Sequence, residues 1–143
     1  MATMTTSSAQ QKRVATHRLV WVGALTIVAS IITNLIIFAI ASGGLGIRFT
    51  LPPEMGGSIS ASVVAVMSAA GVLCAVIAYM VIGHLARRPI GTYRIVAVIG
   101  LILSLAGPLS VATLDTSAKL VLAVMHVAAA GLSIGLLTTL ARE

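Results

Sequence analysis

Charge is what this chain most lacks. Of 143 residues only 12 are charged, 9 Lys or Arg and 3 Asp or Glu, or 8% of the sequence. Soluble domains carry about a quarter. Twelve charges cannot cover the surface of a water-soluble domain of this size. Cysteine is equally scarce. The single Cys74 lies inside an apolar run, which excludes an intramolecular disulfide framework, and no Cys/His spacing for a metal surrounds it. Enzyme signatures are sparse as well: no HExxH, CxxC or Walker loop occurs. Those absences remove a soluble enzyme, a secreted disulfide scaffold and a disordered chain. They also point to a non-enzyme with no metal and no cofactor.

What is present is apolar: 59% of residues, with a mean hydropathy of +1.13. The chain therefore reads as an integral membrane protein, with the lipid bilayer as its first partner. A pI near 10.9 would suggest nucleic acid in a soluble protein. Here Lys12, Arg13 and Arg18 precede the first apolar run, and Arg87, Arg88 and Arg94 lie between two later ones. Membrane proteins keep their cytoplasmic loop charge in such places, and nucleic acid is not expected as a partner.

Residues 1–17 are polar and small and predict a disordered cytoplasmic tail. The rest, 18–143, predicts one domain with four spans at about 19–41, 59–85, 92–113 and 118–140. The first run follows a basic stretch and ends on Ala39-Ile40-Ala41, the small-x-small pattern of a signal-peptide cleavage site. Its 23 uncharged residues exceed a signal h-region of about 7–15, so it predicts an uncleaved span. Between the first two spans, glycines and prolines predict a loop, with strand-like alternation over Ile47 to Leu51. The short second and third connections make their neighbours antiparallel. One side of the membrane holds Lys12, Arg13, Arg18, Arg87, Arg88, Arg94 and Arg142; the other holds Arg48 and Lys119. The expectation is an all-α, up-down-up-down four-helix bundle in the cell membrane, with both termini cytoplasmic. Trp21 and Tyr93 fall near the inner boundary as interfacial aromatics.

Two patterns remain. The first is small residues: Ala61, Ala65, Ala69, Gly71 and Ala75 in the second span, Gly100 and Gly107 in the third, and Gly131 and Gly135 as a GxxxG in the fourth. Such stripes let helices approach closely in lipid, and packing within the bundle is the simpler use, with contact to a second copy as the alternative. Pro108 predicts a kink that frees a carbonyl near the outer end of the third helix.

The second pattern is a polar layer. The spans contain no Asp or Glu, which argues against a proton-coupled pump. Thr26, Ser30, Thr33 and Asn34 share one face of the first helix. Ser68, Ser104 and His126 come from the other three. At 1.5 Å per residue, Asn34, Ser68, Ser104 and His126 all lie roughly 10–14 Å from the outer boundary. Groups buried at that depth need partners, and Asn34 is expected to reach His126. The layer is either interhelical glue or a site for a small weakly polar ligand. Met67, Met125 and His126 are too few soft ligands to argue for copper.

Asn34, the Phe49-Thr50-Leu51-Pro52 segment, Ser104-Leu105-Ala106-Gly107-Pro108-Leu109 with the following Asp115, and Met125-His126 also resemble a widespread bacterial family of small four-helix membrane proteins, classed as a domain of unknown function. That resemblance implies the four-span topology and supplies no activity. Two readings stand: an accessory protein working through helix association, as a homo-oligomer or a subunit of a larger complex, or a carrier or binding protein for a small ligand at the Asn34/His126 layer.

Overall fold

The computed structural model describes residues 16–141, and side chains from Arg18 onward. The expected tail lies outside the described residues. Four α-helices make up the fold: α1 (Thr16–Ala39), α2 (Ala61–Leu85), α3 (Pro89–Ser110) and α4 (Thr116–Leu140). All four are long and apolar enough to cross a membrane. The protein is an all-α, multi-pass membrane four-helix bundle.

Helix ends follow local chemistry. α1 continues into a π-helical turn, Ile40–Gly44, before glycines release the chain. Ser60 caps α2 by accepting from the Val63 amide. α3 starts with Pro89, three residues earlier than the expected span, because Pro suits the first helical turn where no amide bond is needed. Asp115 takes the N-cap position of α4 with no side-chain capping bond. Pro108 is carried inside α3, which runs on to Ser110. Having no N–H, Pro108 cannot donate to the Ser104 carbonyl.

The helices form a ring in which α1 packs on α2 and α4, and α3 closes the far side, mainly against α4. One face of α1 is buried: Leu19, Val22, Gly23, Thr26, Ser30 and Asn34, at steps of one, three or four residues. At Gly23 the backbone of α1 approaches α2 closely; an added Cβ would lie 3.2 Å from Val76 Cγ1. α2 buries Val64, Ser68, Val72, Val76 and Tyr79. α3 buries only Tyr93. Large apolar side chains such as Ile32, Val66, Leu73, Ile102 and Leu103 point outward. Water would not tolerate so much exposed apolar surface, and a bilayer would.

The core is split in two. Leu19, Val22, Val72, Val76, Tyr79, Tyr93 and Leu137 pack at the end where α1 begins. Ala41, Phe49, Val64, Leu114, Ala118, Leu122 and Met125 pack at the opposite end. There the loop between α1 and α2 folds back as a small hairpin. Its bonds are Leu51 N to Gly57 O (3.0 Å) and Ile59 N to Phe49 O (2.9 Å). Gly56 and Gly57, at φ +96° and +73°, make a reversal that side chains with a Cβ disfavour. Phe49 is thereby buried beside Phe38, ring centroids 5.1 Å apart. Thr50 and Thr113 exchange hydrogen bonds, tying the hairpin to the α3–α4 connection. The strand-like alternation over 47–51 is this hairpin arm, reduced to one bridge between Thr50 and Ser58.

Three expectations about packing change. Gly100, Gly107, Gly131 and Gly135 do not pack helices together within the chain: a Cβ at any of them would meet nothing within 4 Å. Gly71 is equally open, and the buried face of α2 is the Val64/Ser68/Val72/Val76 row rather than the alanine row. The wider valine row fills the space against α1, where Gly23 supplies the close approach. Tyr93 is not an interfacial anchor; it is buried edge-on against Tyr79, at 4.9 Å and 83°. Trp21, 70% exposed, does face outward.

Candidate functional site: a cleft with an unpaired acceptor

Between the two core clusters the buried side chains are polar: Thr26, Ser30 and Asn34 from α1, Ser68 from α2 and Ser133 from α4. Because α3 buries so little, the space it encloses with α2 and α4 is not filled. A cleft of about 620 Å³ runs there, from Leu51 in the hairpin to Tyr93 at the opposite end. That volume lies within the range of about 300–1,000 Å³ seen for ligand sites. Its walls are mostly small or aliphatic, including Val63, Gly71, Ala75, Val96 and Gly100. No charged residue lines it.

Asn34, Ser68, Ser104 and His126 all line this cleft, so four helices do bring polar groups to one space. Ser30 does not line it; buried in the bundle, its hydroxyl has no hydrogen-bond partner. The expected Asn34–His126 bond is absent. Asn34 Nδ2 instead donates to Ser68 Oγ at 2.8 Å. His126 Nδ1 lies 2.7 Å from the Leu122 carbonyl of its own helix. A carbonyl can only accept, so Nδ1 carries the proton, and in a neutral imidazole Nε2 is then an acceptor. The backbone one turn back outcompetes Asn34 because it is already in place and costs no rearrangement of α1 against α4. Ser104 behaves similarly, donating to Leu101 O at 2.8 Å.

Asn34 is 4% exposed, and its Oδ1 has no hydrogen-bond partner. The Tyr93 hydroxyl at the foot of the cleft has none either. Buried polar atoms left unpaired cost about 1–3 kcal/mol each. Tyr93 was missed as a cleft residue because its position four residues into α3 reads as a membrane boundary, and only the Tyr79 contact turns it inward. Met67, Cys74, Met125 and His126 share the cleft, but among the described residues no three His, Cys, Asp or Glu side chains are grouped to hold a metal.

The geometry defines a small multi-pass bundle with a lipid-depth cleft. The chain belongs to the DUF6069 family, a family of unknown function, which it matches over residues 14–143. No curated protein and no solved structure matches it.

Proposed function

We propose that this protein is a non-enzymatic accessory protein of the cell membrane that works by helix association, with a second copy of itself as the first partner. The observation that carries this reading is the outward GxxxG of α4. Gly131 and Gly135 are exposed, open to at least 4 Å, and lie about 140° and 180° around the helix from His126, away from the cleft. In lipid such a groove gains contact only when another helix enters it. Leu120, Val124 and Val127 extend the same exposed face as ridges. Cross-linking in native membranes and native mass in mild detergent test the reading. Gly131→Ile with Gly135→Ile should convert a dimer to monomer without altering helix content; a parent protein that is strictly monomeric, with nothing co-purifying, overturns it.

The same reading places both termini in the cytoplasm, from seven Lys/Arg on one side against two on the other, counted over the positions named above. Gly44→Cys or Ser117→Cys in a Cys74→Ala background should react with an impermeant thiol reagent outside intact cells. Failure of both to react reverses the orientation. The cleft supports a second activity, ligand binding.

A further inference from the structure

We infer that the cleft between α2, α3 and α4 binds a membrane-soluble alcohol: an apolar molecule with a long hydrocarbon body and a hydroxyl that donates its hydrogen bond to Asn34 Oδ1. The inference is independent of the association reading, which concerns the other side of α4.

The sign of the hydrogen bonding selects the ligand. Asn34 Oδ1 is buried, unpartnered and able only to accept. The neighbouring groups that line the cleft have mostly used their hydrogens already. His126 Nδ1–H is spent on Leu122 O, and the Ser104 hydroxyl on Leu101 O. The Ser104 oxygen remains as an acceptor, as does His126 Nε2 in a neutral ring. Pro108, also in the lining, withholds the amide that would normally bond the Ser104 carbonyl. Beside Asn34, Ser68 is the hydroxyl whose hydrogen is uncommitted, its oxygen receiving Asn34 Nδ2, while the other uncommitted hydroxyl, that of Tyr93, stands at the far end of the cleft. The surroundings of Asn34 are therefore rich in acceptors, and a ligand that donates is matched.

Three other ligand chemistries fit worse. A carboxylate or phosphate would face acceptors, with no Lys or Arg in the lining to meet its charge. A ketone or ester offers only further acceptors. A bare alkyl chain would leave Asn34 Oδ1 unpaired, at the cost just given for such an atom. The body of the ligand is set by the walls: Gly71 and Ala75 on α2 face Val96 and Gly100 on α3, and both glycines have open space where a Cβ would project. Tyr93 lies about 16 Å from Ser104 along α3, at eleven residues and 1.5 Å each, so the cleft is long enough for an extended chain.

The test uses the full chain purified in dodecyl maltoside and analysed by native mass spectrometry. Hexadecanol, hexadecyl methyl ether, hexadecane and palmitate are added separately at equal concentration. Hexadecanol should bind about tenfold more tightly than its methyl ether, the effect of one hydrogen bond to a buried acceptor. Asn34→Leu should remove that preference. Because Asn34→Leu also loses the Ser68 bond and can fail to fold, Gly71→Leu and Gly100→Leu provide a second arm. Each projects a side chain into the cleft and should abolish hexadecanol binding while leaving far-UV circular dichroism and elution volume unchanged. Equal binding of alcohol, ether and alkane means the cleft takes any lipid chain, and overturns the inference. So does preference for palmitate, no binding at all, or undiminished binding in both folded glycine variants. Dimer dissociation in the Gly131/Gly135 double variant with alcohol binding intact would separate this site from the association face.

Discussion

Gly23 leaves little room for a side chain, and an added methyl group there should behave differently from one at Gly100. A Cβ on Gly23 would stand 3.2 Å from Val76 Cγ1 and 3.3 Å from Cγ2, closer than ordinary contact, whereas a Cβ on Gly100 meets nothing within 4 Å. Alanine gains about 1 kcal/mol over glycine in a helix at either position. At Gly23 that gain is opposed by overpacking, typically about 1–3 kcal/mol. Val76 cannot easily rotate away: it is β-branched, held to one rotamer in a helix, and buried. Gly23→Ala should thus be less stable than Gly100→Ala by about 1–3 kcal/mol. Adding Val76→Ala to each should shrink that difference, since it removes both methyl groups that the new Cβ meets. SDS titration from dodecyl maltoside micelles, read by the fluorescence of the single Trp21, measures all of these variants. Trp21 lies on α1 two residues from Gly23, so its signal follows the separation of that helix from the bundle. Equal stability of Gly23→Ala and Gly100→Ala, or a difference that Val76→Ala leaves intact, would refute the close approach of α1 and α2 at this point.

Further outcomes can be read by the same titration. Ser68→Ala should destabilise by about 0.6–1.7 kcal/mol, between the average and the largest value for interhelical bonds in membranes, because Asn34 Nδ2 loses its partner. Ser133→Ala should be near neutral, since that hydroxyl bonds only Ala129 O on its own helix. His126→Leu should also be tolerated, for its ring bonds Leu122 O rather than Asn34; a loss as large as that of Ser68→Ala would show a contact across helices instead. Phe49→Ala should cost about 3–5 kcal/mol and make residues 45–60 sensitive to added protease, because Phe49 is the buried anchor of the hairpin. An unchanged cleavage pattern would argue that the hairpin is held by its Thr50–Thr113 bonds alone.

The helices were legible because bilayer thickness and the cost of unpaired backbone in hydrocarbon act on composition directly. Runs of twenty or more apolar residues, punctuated by Arg87-Arg88-Pro89 and by Asp115, admit few other readings. The α1 face carrying Thr26, Ser30 and Asn34 was legible for a related reason: a period of 3.6 places those residues together whatever they pack against. Depth along each helix likewise placed Asn34, Ser68, Ser104 and His126 near one level, and all four line the cleft. What they bond to is a different matter. Hydrogen-bond partners depend on the rotation of each helix about its axis. In lipid no apolar-inside rule constrains that rotation, because both faces of a span are apolar. Only the tertiary structure shows Asn34 turned to Ser68, His126 satisfied by its own helix, and Gly131 and Gly135 facing outward. The cleft too belongs to the tertiary structure alone. It exists because α3 buries a single side chain, Tyr93, and so stands away from α2, a fact about volumes between helices that no residue pattern along one helix contains.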